Sequence, residues 1–180
     1  MIADMDAPDL TLIIISGPVG VGKTSVAEEL SGLLAQDKVA HTFINLDGLS
    51  KTYPRPADDK YGERIALKNL QDVWANARAL GVKTLIIARV IETPEGARRI
   101  EHAVGATSST IIQLNASDEA LLDRVRQREA GSGREWHERR ALELSAQMKN
   151  SRVATLMLET DDKSVSEIAA EIQPLIKHLF

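Results

Sequence analysis

The sequence predicts an α/β fold in which a parallel sheet lies between layers of helices. Short apolar segments alternate along the chain with amphipathic helical segments, the pattern of repeated strand–helix units. The predicted strands are residues 10–16, 40–46, 83–91, 109–115 and 153–159. Because parallel sheets are covered on both faces, we expect helices on both sides of this one.

The helical segments carry their own start and stop signals. Apolar residues recur at helical spacing over 26–34 and over 62–80, where Gly81 ends the second segment. Thr93-Pro94 supplies an N-cap and a first-turn proline, and Ser117 precedes two acidic residues. Ser164 and Glu167 form a capping-box pattern before the last helix.

Length and composition predict one soluble domain over residues 1–180. The chain has no cysteine and no apolar run of transmembrane length, so disulfides, thiolate catalysis and a membrane partner are not expected. Its acidic N-terminus is unlike a signal peptide, and we expect residues 1–9 to be frayed and the protein to be cytoplasmic. The irregular stretch 47–62 is long for a compact domain and favours a functional loop.

Charge argues against a nucleic-acid partner. The formal net charge is −4, and aromatic residues make up 3% of the chain. Broad binding to nucleic acid needs a basic face, and single strands need stacking platforms. A nucleic-acid partner is therefore disfavoured, and any positive charge with a functional role must be confined to a local site. The oligomeric state is not predicted.

The segment Gly17–Thr24 follows the first strand with the pattern G-x-x-x-x-G-K-T. This is the phosphate-binding P-loop, placed between a strand and a helix as the motif requires. Inward-turned backbone N–H groups and the helix N-terminus hold phosphates, Lys23 reaches the β- and γ-phosphates, and Thr24 can ligate Mg²⁺. The predicted nucleotide-binding residues here are Gly17, Pro18, Val19, Gly20, Val21, Gly22, Lys23, Thr24 and Ser25.

Three further segments complete a resemblance to a known family. They are Asp47 after the second strand, Leu114–Arg128, and Thr160–Ala169. With the P-loop, they make the chain similar to the small P-loop kinases: the gluconate, shikimate and nucleoside-monophosphate kinase group. It looks closest to a bacterial branch whose members are described only as ATP-binding.

The resemblance implies a three-layer P-loop NTPase fold with strand order 2-3-1-4-5. It also implies ATP and Mg²⁺ as donor and metal, a helical lid within residues 117–151, and an adenine contact at Arg124. The acceptor would bind in the region that includes Arg64 and Lys68. Nothing in the pattern names that acceptor: a sugar acid, a nucleoside, a nucleotide and an antibiotic all remain open.

Arginines concentrate between residues 124 and 140 on both sides of Gly131-Ser-Gly133. Two helices joined by a glycine hinge, with inward arginines, are what a closing lid requires. Arginine suits the charge that phosphoryl transfer spreads over three oxygens, so Arg128 and Arg134 are candidate catalytic residues. The alternative is a solvated helix whose glutamates pair the arginines.

Polar residues at two strand ends are the other candidates. Asp47 can accept a proton from a substrate hydroxyl or hold Mg²⁺; its alternative is a turn aspartate before glycine. Arg89, in the third apolar run, either faces the site or pairs with a structural acid. Glu92 is a candidate acceptor, metal or base residue. Many P-loop ATPases carry Asp where this chain has Arg89, which disfavours a motor.

We therefore predict an ATP-dependent small-molecule kinase with Lys23, Asp47 and Arg89 at its centre. The alternative is an ATP-binding regulatory module, or an ATPase without an acceptor. Arg64 and Lys68 share a helix face and would bind the acceptor, but a solvated helix start explains them as well. The four histidines lack metal-ligand spacing.

Overall fold

A computed structural model describes residues 10–59, 61–128, 131 and 133–179. The predicted frayed segment 1–9 and the central Ser132 of the predicted hinge lie outside these residues. In the described part of the chain, five strands form one parallel sheet. They are β1 Thr11–Ser16, β2 His41–Asn45, β3 Thr84–Ala88, β4 Thr110–Asn115 and β5 Leu156–Glu159.

The strand order is β2-β3-β1-β4-β5, which confirms the predicted topology. The described residues form six α-helices, one after each of β1, β2, β3 and β5 and two between β4 and β5. They are α1 Lys23–Gln36, α2 Glu63–Ala79, α3 Pro94–Val104, α4 Asp118–Arg128, α5 Arg134–Lys149 and α6 Val165–Ile176. A three-residue 3₁₀ helix, Gly48–Ser50, follows β2. The predicted caps at Thr93 and Ser164 are both present.

Two apolar layers hold the helices to the sheet. On one face, Ile13 and Ile15 of β1 pack with α1 and α6; on the other, Leu12 and Ile14 pack with α2 and α3. The alternation follows from the strand period of two. The lid helices α4 and α5 pack on each other and contribute Leu121, Val125 and Ala141 to the first layer.

Strand β3 is shorter than the sequence predicts and ends before Arg89. The Arg89 N–H still donates to the Ile15 carbonyl (3.1 Å), but the Ile91 N–H turns to the buried Ser16 hydroxyl (2.9 Å). The Ser16 side chain, not a β1 backbone carbonyl, therefore accepts the hydrogen bond from Ile91. Arg89 therefore stands just beyond the sheet, at the edge where all five parallel strands end.

Candidate active site

The P-loop lies at this carboxyl edge, between β1 and α1. Gly17, Gly20 and Gly22 have φ values of 140°, 86° and 100°, conformations that side chains disfavour. A Cβ on Gly17 would stand 2.4 Å from the Leu114 carbonyl oxygen, and one on Gly20 would stand 2.8 Å from a Val125 methyl group. A Cβ on Gly22 would meet open space. The first two glycines let the loop pack closely, and the third keeps its open side clear.

Lys23 begins α1 and points into the loop. Its Nζ donates to the Pro18 carbonyl at 2.9 Å. Burial lowers the pKa of Lys23 to about 8; Asp47 opposes this shift, and the cations Arg128 and Arg89 add to it. Burial and two guanidinium groups make this ammonium group costly, so an anionic ligand beside it would raise its pKa and be attracted to it.

Thr24 and Ser25 are exposed at the first turn of α1, and with Lys23 they line a cavity of about 760 Å³. Val19, Gly20 and Gly22 line it as well, whereas Gly17, Pro18 and Val21 are buried beneath. Within the described residues, no group of three or more His, Asp or Glu side chains could hold a metal ion. The Thr24 hydroxyl and Asp47 carboxylate fit Mg²⁺ bound mainly through phosphates, since Mg²⁺ takes few protein oxygens in such sites.

Three ion pairs line the cavity beyond the P-loop. Arg89 Nη1 lies 2.5 Å from Asp47 Oδ1, so the two strand-end residues that the sequence singled out contact each other. The Arg89 side chain is 16% exposed and that of Asp47 is 54% exposed. Both alternatives for Arg89 therefore hold: it faces the cavity, and it pairs with an acid.

The other two pairs connect separate elements across the cavity wall. Glu92, after β3, accepts from Arg140 of the lid helix α5 at 2.6 Å. Glu63 at the start of α2 accepts from Arg99 of α3 at 2.9 Å. The pairs fix the lid and α3 against the loops that follow the central strands.

The lid arginines divide into two groups. Arg128 lines the cavity together with Arg140. Arg134 is 55% exposed and lies 3.8 Å from Glu138, which also binds Arg126 at 3.0 Å. This second group matches the alternative of a solvated helix with paired charges, and the structure does not bring Arg134 to the cavity wall.

Arg64 and Lys68 also lie away from the cavity. Both are exposed, and Arg64 pairs with Asp58 at 2.6 Å. The face of α2 that lines the cavity carries Glu63, Ala66 and Leu67 instead. The spacing of four residues correctly put Arg64 and Lys68 on one face, but that face is turned to solvent.

Arg124 is held at the end of β5. Its two Nη atoms donate to the Thr160 hydroxyl (3.0 Å) and carbonyl (2.9 Å). The buried Thr160 hydroxyl in turn donates to the Asn115 carbonyl at the end of β4 (2.9 Å). The guanidinium group is therefore fixed beside the loop that follows β5.

Sequence reasoning missed Arg99, which lines the cavity together with Tyr61 and Trp136. The Arg98-Arg99 doublet was the available signal for Arg99. That signal does not show which of the two arginines faces the cavity. The answer depends on how α3 is rotated about its axis, which the buried Ala97, Ile100 and Val104 fix. No helix in the described part of the chain is both long and apolar enough to cross a membrane.

Solved structures of small P-loop kinases share this architecture. A gluconokinase from Sinorhizobium meliloti superimposes with a TM-score of 0.65 and 16% identity, covering 96% of this chain and 94% of its own. A sugar kinase from a Janibacter species gives 0.63 and 16%, covering 93% and 95%. A shikimate kinase from Acinetobacter baumannii, in complex with shikimate, gives 0.59 and 20%, covering 94% of each chain.

Sequence comparison identifies the family. No curated protein matches this chain. A family model described as an AAA domain matches residues 13–145, well over half of the sequence and including the P-loop, Asp47, Arg89 and most of the lid. The chain thus has the fold of the small P-loop kinases and belongs to the AAA domain family.

Proposed function

We propose that this protein is a Mg·ATP-dependent kinase that transfers the γ-phosphoryl group to a small acceptor carrying a hydroxyl or phosphate group. The observation that carries the proposal is the Asp47–Arg89 pair, which lines the same cavity as Lys23 and Thr24. A carboxylate and a guanidinium group beside a P-loop are the two groups that transfer to an acceptor requires.

The donor half of the site is the P-loop. Its backbone N–H groups and Lys23 hold the β- and γ-phosphates, and the Thr24 hydroxyl and Asp47 would hold Mg²⁺. When bound, Mg²⁺ supplies charge neutralisation for the phosphate oxygens. Ser25 and Arg124 complete the donor half, with Arg124 against the adenine.

The acceptor half supplies the nucleophile. Asp47 takes the proton of the acceptor hydroxyl as its oxygen forms a bond to the γ-phosphorus. The bond from that phosphorus to the β–γ bridging oxygen breaks, and ADP leaves with the electron pair. Arg89 orients the Asp47 carboxylate and, with Arg128 from the lid, stabilises the charge on the transferring group. Arg134 could join only if the lid moved.

Acceptor-dependent ADP release tests the proposal. The protein is incubated with Mg·ATP and pools of metabolites, and ADP is measured by a coupled assay. We expect one pool to stimulate release and Lys23→Ala to abolish it. Lys83→Ala is the matched control, because Lys83 is exposed before β3, at the opposite edge of the sheet. Substantial transfer by Lys23→Ala contradicts the assignment.

The same experiment separates the second candidate function. An ATP-binding regulatory module, or an ATPase without an acceptor, would bind ATP with no stimulation by any pool. The pairing of Asp47 with Arg89 also suits that function, since the pair could orient a water molecule instead of a hydroxyl. Stimulation by any single acceptor decides for the kinase.

A further inference from the structure

The acceptor side of the cavity carries guanidinium groups whose charge is already balanced. Arg89, Arg99 and Arg140 each contact a carboxylate that lines the same cavity: Asp47, Glu63 and Glu92. The shortest N···O distances of the pairs are 2.5, 2.9 and 2.6 Å, so each guanidinium group is in direct contact with its carboxylate. Each pair joins two different elements, so its geometry is set by the fold.

Charge on the P-loop side is arranged differently. Lys23 donates to a carbonyl oxygen; burial lowers its pKa, Asp47 opposes that shift, and Arg128 and Arg89 add to it. The helix N-terminus adds positive potential there. The P-loop therefore favours an anionic ligand, such as the triphosphate that would bind there. On the acceptor side, the carboxylates of Asp47, Glu63 and Glu92 already provide negative charge.

Two aromatic side chains line the same cavity. Tyr61 is 64% exposed and Trp136, on the lid helix α5, is 47% exposed. The chain has only two tryptophans, and the other, Trp74, is 2% exposed within the apolar layer. Exposed aromatic rings offer an apolar face whose negative quadrupole attracts C–H groups. The C–H faces of sugar and cyclitol rings have the shape and polarity to pack there.

We infer that the acceptor is a neutral, polyhydroxylated ring compound of the sugar or cyclitol class. This inference rests on the proposed kinase function and deepens it. An arginine–carboxylate pair presents a donor and an acceptor side by side, which matches neighbouring hydroxyl groups. The aromatic rings hold the ring face, and Asp47 takes the proton of the hydroxyl that is phosphorylated.

The arginine–carboxylate pairs on the acceptor side of the cavity disfavour an anionic acceptor. To bind Arg99 or Arg140, its carboxylate or phosphate would either share the guanidinium group with Glu63 or Glu92, which places two like charges side by side, or displace that acid from its partner. It would also add negative charge near the γ-phosphate. Arg55, an exposed residue, also lines the cavity and is a further cation near which such an acceptor would lie.

Matched ligand pairs test the inference. Each pair consists of a neutral ring polyol and its carboxylated counterpart, such as a hexose with its uronic acid or a cyclitol with its acid. ADP release and Trp fluorescence are measured with Mg·ATP, or with a non-hydrolysable analogue for binding. Since separating one charged hydrogen-bonded pair is costly, we expect the neutral member to bind about tenfold tighter or more.

Two variants show which residues are responsible. Trp136→Phe should lose most of the acceptor-induced fluorescence change, because Trp74 is buried away from the cavity. Glu63→Gln leaves Arg99 without its acid and should shift the preference toward the acid member. Glu95→Gln is the matched control: it removes an acid from an exposed pair with Arg98, outside this cavity, and should leave the preference unchanged.

The outcomes distinguish a failure of this inference about the acceptor from a failure of the proposed kinase function. Turnover with the acid members at equal or higher affinity overturns the inference and leaves the kinase intact. So does a fluorescence change that persists in Trp136→Phe. Turnover with neither member of any pair also overturns it, and the pooled-metabolite screen then decides whether a kinase remains.

Discussion

Gly17 and Gly22 have similar backbone strain but different surroundings, which makes them a matched pair for mutation. Both have positive φ, and alanine at such a position costs about 1–3 kcal/mol. At Gly17 the new Cβ would also stand 2.4 Å from the Leu114 carbonyl oxygen, short of the 3.0 Å that real Cβ atoms keep. At Gly22 the Cβ would stand in open space.

The clash gives the expected difference in stability. The Leu114 carbonyl belongs to β4, so the P-loop or the strand must move, and overpacking of this kind costs about 1–3 kcal/mol more. We expect Gly17→Ala to lose about 2–6 kcal/mol of unfolding free energy, against about 1–3 kcal/mol for Gly22→Ala. The added methyl of Gly22→Ala lies on the open side of the loop, so this variant should lose ATP affinity by about tenfold or more, which corresponds to about 1.4 kcal/mol.

Urea unfolding followed by circular dichroism measures the first quantity, and calorimetric titration with Mg·ATP measures the second. The two variants should separate, with stability lost mainly at Gly17 and binding lost out of proportion to stability at Gly22. Equal unfolding free energies, or normal ATP affinity in Gly22→Ala, would refute the assignment of separate packing and binding roles to the two glycines.

Three further predictions concern charge and capping. Because the pKa of Lys23 is about 8, ATP affinity measured by calorimetry should weaken as pH rises through that value, and Lys23→Arg should flatten the profile. Burial raises the pKa of Asp59, but hydrogen bonds from the N–H groups of residues 63–65 outweigh it and lower the pKa below 3.8. The stability from Asp59 is therefore present above about pH 4 and lost as pH falls further, and Asp59→Asn should remove this slope from acid unfolding. Ser164→Ala deletes the capping box of α6 and should cost about 1 kcal/mol in urea unfolding.

The sheet and its topology could be predicted because their signals are local. Buried parallel strands are continuous apolar runs, and their order follows from the resemblance that the P-loop and its neighbours establish. The end of β3 could not be predicted, since it depends on the contact between the Ile91 N–H and the Ser16 hydroxyl, 75 residues apart. Apolar Val90 and Ile91 look like strand residues in sequence.

The structure brings together the candidate residues that follow strand ends, but not all of the candidates on helices. Asp47 and Arg89 meet because parallel strands end at one edge. Arg64 has a partner, Asp58, that lies in the irregular loop, and no periodicity reveals it. Which face of α2 is turned to the cavity depends on how α2 packs against α3. Arg99 was missed for the same reason.

The fixing of Arg124 by Thr160 has a consequence for the thermodynamics of nucleotide binding. A free arginine side chain carries about 2 kcal/mol of rotamer entropy, which a ligand must overcome when it immobilises the group. Here two hydrogen bonds to Thr160 already remove that freedom when the protein folds. If Arg124 contacts the adenine as proposed, the ordering cost belongs to folding and the base meets a rigid surface. Binding at this position should then be favourable in enthalpy with little entropic loss from the protein.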